Sequence, residues 1–134
     1  MMNRRLFTQS SKITVQQSPG KGRGVFTARK IRSGEVIEAS PVLLVPRDQS
    51  DVLAATFLGN YMFQTDNHKH HVVGLGLTSM MNHGEEANAE FFVTVDSIVV
   101  KAKRAIPAGV EVTIDYGWRA QEWKNVGVDV APRE

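Results

Sequence analysis

The sequence predicts one mainly β domain. Three features carry that reading. Apolar residues alternate with polar ones over short runs, the half-buried strand pattern. Eleven glycines and five prolines are spread through the 134 residues as punctuation between those runs. Only one stretch shows helical spacing.

The elements follow in order. Ile13-Thr14-Val15 alternates and is broken by Ser18-Pro19-Gly20 and the glycines at 20, 22 and 24; Val25-Phe26-Thr27 resumes as a strand. Ile31 to Glu35 is a turn. Val36 to Ala39 and Val42 to Val45 form a strand pair interrupted by Pro41. Ser50 or Asp51 caps a short helix over Val52 to Leu58, stopped by Gly59-Asn60. Tyr61-Met62-Phe63 and Val72 to Leu77 are strands separated by the polar loop Gln64 to His71. Ala89 to Val95 and Ile98 to Ala102 form a hairpin turning at Asp96-Ser97. Ala105 to Gly109 is a turn, and Val110, Val112 and Ile114 are the inward positions of a last strand.

Composition narrows the function classes. No run approaches the eighteen or so apolar residues of a membrane-spanning helix. The first eight residues lack the apolar core of a secretory signal, so the cytoplasm is the expected compartment. The absence of cysteine excludes disulfides, thiolate metal sites and a cysteine nucleophile from this chain. The net charge of +2 is uninformative, but its distribution is not: residues 1–34 hold eight bases and no acid, whereas residues 35–134 hold eight bases and fourteen acids. The acidic remainder suits a cationic peptide. A nucleic-acid role for the basic third would call for interleaved aromatics, and only Phe7 and Phe26 occur there, so direct nucleic-acid binding is not expected.

Three short constellations could carry chemistry. Gly20-Lys21-Gly22-Arg23-Gly24-Val25-Phe26 has glycines at alternate positions, which let a ligand approach the backbone closely; its spacing is neither that of a dinucleotide fingerprint nor that of a phosphate-binding P-loop. Asn82-His83, in Asn82-His83-Gly84-Glu85-Glu86-Ala87-Asn88, offers an amide and an imidazole from an expected loop. Glu111-Val112-Thr113-Ile114-Asp115-Tyr116-Gly117 sets a tyrosine at a strand end. Each alone is better explained by a turn, a loop or a packing tyrosine. His68-Lys69-His70-His71 could chelate a metal in principle, but Asp66 is the one carboxylate near it in sequence, and a solvated loop is the simpler reading.

Taken together and in this order, the three constellations resemble the SET-domain protein lysine methyltransferases. The stretch Ala28 to Glu38, with Ile31, Gly34-Glu35 and Ile37, and the stretch Lys103 to Glu111 are similar to the family's linking segments. The resemblance covers about residues 12–117 and is nearest in size to the minimal viral and bacterial members. It implies a SET-domain fold of several short curved sheets with one or two short helices. It also implies a C-terminal pseudoknot formed by the segments of Asn82-His83 and Tyr116, an exception to unthreaded topology. Residues 1–11 would be a basic arm and 118–134 a tail; Arg4, Arg5 and Lys12 read as solvated charge on that arm.

The resemblance also implies a function: transfer of a methyl group from S-adenosylmethionine to the ε-amine of a lysine in a protein or peptide, histone-like or other. The backbone of Lys21, Gly22, Arg23 and Gly24 would lie along the methionine part of the cofactor. Asn82 would bond its amino end, and the His83 backbone would meet the adenine edge. Tyr116 is similar to the family's catalytic tyrosine, Tyr61 to a channel-lining tyrosine, and Ile114 to the position that limits methylation state. Trp118 and Trp123 are the aromatics available to stack on adenine or wall the channel. No metal is implied, a homodimer is allowed, and a histone substrate would place the protein in a nucleus. Two departures stand out: Gly84 and Ala87 replace the family's usual serine and proline. They favour, as the alternative, a SET-like module that binds peptide or cofactor with little turnover. A third reading, a basic-armed nucleic-acid binder, ranks last.

Overall fold

A computed structural model describes residues 6–117 of the chain. Ten strands and one short α-helix follow one another: β1 (Thr8–Gln9), β2 (Ile13–Ser18), β3 (Gly22–Thr27), β4 (Val36–Val45), α1 (Ser50–Ala54), β5 (Met62–Gln64), β6 (His71–Gly74), β7 (Asn82–His83), β8 (Ala89–Val93), β9 (Ser97–Ala102) and β10 (Glu111–Ile114). Single 3₁₀ turns cover Arg47–Gln49, Phe57–Tyr61 and Leu77–Met80. The strands form two sheets. One runs β5-β6-β4-β9-β8 with β1 added to β4; the other runs β2-β3-β10-β7. The predicted mainly β class is what the chain adopts.

The core lies between the sheets and is built from the inward positions of the alternating runs: Ile13, Val25, Ile37, Val72, Ile98, Val100, Val112 and Ile114, joined by Ile31 and Ile106 from a bridge between two turns. Period-two patterning is clean in β6, β9 and β10, each with one buried and one wetter face. It misplaces Val15 in β2 and Val110 before β10, both of which are exposed.

Several local expectations need correction. The strand expected over Val72 to Leu77 ends at Gly74, and Leu77 opens a 3₁₀ turn. The glycines at 22 and 24 do not end a strand; they lie inside β3, which pairs with β2 from Ser18↔Gly22 to Ile13↔Thr27. The break is confined to Pro19-Gly20-Lys21, where Gly20 takes φ 75° and Lys21 N–H returns to Ser18 O at 2.8 Å. Pro41 does not interrupt β4. Its carbonyl accepts from Leu75 N–H at 3.1 Å, and the missing N–H falls between β1, paired at Ala39, and β6, paired from Val42. The helix is shorter than expected, because Thr56 turns extended and its hydroxyl takes the carbonyl of Leu53 at 2.6 Å. Ser50 and Asp51 lie within it rather than capping it. Lys12 is not part of a loose arm, since its ammonium pairs with Glu35 at 3.0 Å. Thr8–Gln9 of the expected arm is strand β1.

Candidate functional site

The Asn82-His83 segment is held as a strand, not a loop. β7 pairs in parallel with β10, Thr113 opposite Asn82 and Ile114 opposite His83. This register brings two segments thirty-one residues apart in sequence to the same end of the smaller sheet. Tyr116 then closes on β7 twice: its backbone N–H donates to His83 Nδ1 at 3.0 Å, and its hydroxyl donates to Met81 O at 2.7 Å. Because His83 Nδ1 accepts a hydrogen, the imidazole is neutral with its proton on Nε2. The 3.7 Å approach of Asp115 Oδ1 to the same nitrogen is therefore not a charged hydrogen bond. The two rings lie 5.1 Å apart at 44°.

The glycine strand reaches the same place from the other side. Asn82 Nδ2 donates to Arg23 O at 3.0 Å and to Glu111 Oε2 at 2.7 Å, and Ser18 Oγ donates to Glu111 Oε1 at 2.9 Å. A Cβ on residue 24 would lie 2.4 Å from Glu111 Oε2 and 2.9 Å from Asn82 Nδ2, so only glycine leaves room for that pair. Arg23, Tyr61, Ser79, Met80 and Asn82 line a recess of about 30 Å³. Lys21 and Gly22 stand at the turn end of β3, beside Arg23.

The turn leading into β7 is fixed by a buried carboxylate. Glu38, 0% exposed, accepts from Leu77 N–H at 2.8 Å, Thr78 N–H at 2.9 Å, Thr78 Oγ1 at 2.7 Å and Gln9 Nε2 at 2.7 Å. The loop after β7 is equally fastened. Asn88 donates to Glu111 O at 2.8 Å and accepts from Thr113 N–H at 2.9 Å, while Arg104 donates to Ala87 O at 3.1 Å and Glu86 O at 3.0 Å. Gly84 is accounted for by Thr113, whose Cβ and Oγ1 lie 3.0 Å from where a Cβ would stand. Ala87 is 1% exposed.

A cleft of about 860 Å³ opens beside Tyr116. Tyr116, Phe63 and Phe91 give it apolar wall, the two phenylalanines meeting edge to face at 5.5 Å and 70°. Asp66, Glu90 and Asp115 set three carboxylates along it, against Lys103 and the imidazoles of His68 and His71. Sequence reading did not single out Phe63, Phe91 or Glu90, because each looks like an ordinary position of an alternating strand.

Of the residues expected at the site, Arg23, Gly24, Asn82, His83 and Tyr116 gather around β7 and β10. Tyr61 lines the small recess with Asn82 rather than the larger cleft, and its ring meets Phe57 at 6.5 Å. Ile114 is 0% exposed and belongs to the core beneath the site. Trp118 and Trp123 lie outside the described residues. Among the described residues no group of His, Asp or Glu is placed to hold a metal ion, and His68 instead meets Gln64 Oε1 at 3.2 Å.

The profile of the family described as "SET domain" matches residues 22–117. A solved structure from Plasmodium falciparum, described provisionally as a histone methyltransferase, is 25% identical with a TM-score of 0.64; the match covers 84% of this chain and 98% of that one. A second, described in terms of the product specificity of histone lysine methyltransferases, is 20% identical with a TM-score of 0.71 and shows a shared fold. That match covers 81% of this chain and 51% of the other, so this chain spans about half its length. No curated protein matches the chain.

Proposed function

The chain belongs to the SET-domain family, and from that premise we propose that it is a protein lysine N-methyltransferase using S-adenosylmethionine. The observation that carries the proposal is the meeting of Tyr116 with Met81 and His83 at the rim of an apolar-walled, carboxylate-bearing cleft. The residues suit the cofactor. Asn82, with both amide hydrogens directed into the protein, offers its carbonyl oxygen to an ammonium. The backbone of Lys21 and of the first β3 residues, Gly22 to Gly24, would lie along the methionine part of the cofactor. When bound, the cofactor supplies a methyl group activated by a sulfonium.

The chain's own contribution is placement and desolvation. A substrate lysine entering past Phe63 and Phe91 loses water, which lowers its pKa and favours the neutral, nucleophilic amine. Tyr116 has committed its hydroxyl hydrogen to Met81 O, so its oxygen meets an incoming amine as an acceptor. An amine N–H held there fixes where the nitrogen lone pair points, and alignment of this kind can account for much of a rate enhancement. Asp66, Glu90 and Asp115 favour a cationic, lysine-bearing segment over an acidic one. The fastening of β7 and its loop by Glu38, Asn88 and Arg104 supports turnover over a loosened binding module.

The test is incubation of the purified protein with methyl-labelled S-adenosylmethionine and lysine-bearing proteins, histones among them, followed by mass spectrometry. The expected product is methyllysine. Cofactor binding with no transfer to any lysine would instead favour the binding-module reading.

A further inference from the structure

We propose that Glu111 is a positioning residue that locks the amide of Asn82 so that its carbonyl oxygen, and not its NH₂, faces the ligand. The inference rests on the cofactor reading above and names a residue that acts through Asn82. An asparagine amide is ambivalent: rotated by half a turn it presents a donor where it had presented an acceptor. A site that must hold an ammonium cannot tolerate that rotation.

The surroundings decide the orientation. The nitrogen of Asn82 lies between two acceptors, Glu111 Oε2 at 2.7 Å and Arg23 O at 3.0 Å. Rotating the amide would set its oxygen against a carboxylate and a carbonyl. Glu111 is itself aimed from behind, since Ser18 Oγ donates to its other oxygen at 2.9 Å. Gly24 keeps the space clear, because any side chain there would meet both partners. The arrangement is a relay from Ser18 on β2, through Glu111 on β10, to Asn82 on β7. It spans three strands of one sheet, and Asn82 is 5% exposed. Glu111 occupies the polar half of an alternating strand, where a side chain is ordinarily solvated; here both carboxylate oxygens are engaged instead.

The experiment compares two probes by calorimetry: S-adenosylmethionine and 5′-methylthioadenosine, which shares the nucleoside but lacks the amino-acid end. Glu111→Leu should weaken S-adenosylmethionine binding at least ten-fold and leave 5′-methylthioadenosine within two-fold. Glu111→Gln should restore most of the loss, because its Oε1 can accept from Asn82 while its NH₂ meets Ser18 Oγ. Unchanged S-adenosylmethionine affinity in Glu111→Leu would overturn the proposal. Equal loss of both probes would also overturn it, by making the role structural, and so would failure of Glu111→Gln to recover, by making charge the cause. Hydrogen exchange at the Asn82 side-chain amide of the wild type needs no variant. Protection with and without ligand is expected, and fast exchange quenched only by ligand would refute the lock. A wild type that binds 5′-methylthioadenosine but not S-adenosylmethionine refutes this inference alone, whereas one that binds neither refutes the cofactor reading and this inference with it.

Discussion

Tyr116 donates its hydroxyl to the carbonyl of Met81 across 2.7 Å, linking the chain just after β10 to the residue just before β7. The bond sets both the direction of the phenol and its hydrogen-bonding character. A phenol that has given its hydrogen to a backbone carbonyl presents lone pairs to whatever enters beside it. The same residue's N–H is fixed on His83, so backbone and side chain are held two positions apart, at Met81 just before β7 and at His83 within it. Tyr116 is thus oriented by a backbone carbonyl and an imidazole nitrogen, in keeping with the proposed chemistry, which needs alignment more than proton transfer.

Glu38 should prove a structural linchpin of the segment that carries Met81 and Asn82. Glu38→Gln leaves one oxygen for Thr78 and turns an NH₂ toward Leu77 N–H; Gln9 can rotate its own amide to adapt, but the backbone donor cannot. The expected cost is about 1–3 kcal/mol, that of one stranded buried donor. Gly76→Ala should also destabilise, since its Cβ would stand 2.5 Å from Glu38 Oε1. Chemical denaturation measures both, and wild-type stability in Glu38→Gln would show that the four bonds contribute nothing net.

Asn88 ties the loop after β7 to β10 through a donor and an acceptor. Asn88→Ala should strand Glu111 O and Thr113 N–H at about 1–3 kcal/mol each. Asn88→Asp should also destabilise, because a carboxylate keeps the acceptor for Thr113 but cannot donate to Glu111 O. Thermal melting distinguishes the outcomes; an Asp variant as stable as wild type would exclude the donor's role.

Glu35 supplies a pH signature. The backbone N–H of Arg32 and the ammonium of Lys12 hold its carboxyl below its usual value. A carboxyl whose folded pKa is depressed contributes stability above its unfolded pKa and loses it as pH falls through the folded pKa. The stability difference between wild type and Glu35→Gln should therefore be flat from neutrality to about pH 5, then shrink below the ordinary Glu value of about 4.3. At neutral pH it should not exceed about 1 kcal/mol, since the pair is partly exposed. Denaturation midpoints at a series of pH values check this, and a difference that grows on acidification would contradict it.

Much of this architecture is legible before any coordinates. Most alternating strands lie where period-two patterning puts them, although the strand expected over Val72 to Leu77 ends at Gly74. Asn82, His83 and Tyr116 stand together as the order of their two motifs implies. What stayed hidden was set by partners distant in sequence. Gly22 and Gly24 look like breakers until β2 is seen pairing with them, and Pro41 looks like a stop until its missing N–H falls in a gap between neighbours. Glu111 reads as the wet half of a strand because nothing local announces Ser18 and Asn82 across it. Phe91 is an ordinary hairpin residue until Phe63, twenty-eight positions earlier, meets it on the cleft wall.

The most direct test of the central claim is single-turnover methyl transfer to a lysine peptide by wild type and Tyr116→Phe, with cofactor affinity and melting measured beside it. Removing the hydroxyl keeps the ring on the cleft wall, so affinity should hold within a few-fold and stability should fall by about 1 kcal/mol for the lost bond to Met81 O. The transfer rate should drop at least ten-fold, about 1.4 kcal/mol or more of barrier. An unchanged rate with a lowered melting temperature would make Tyr116 a packing residue and contradict the account.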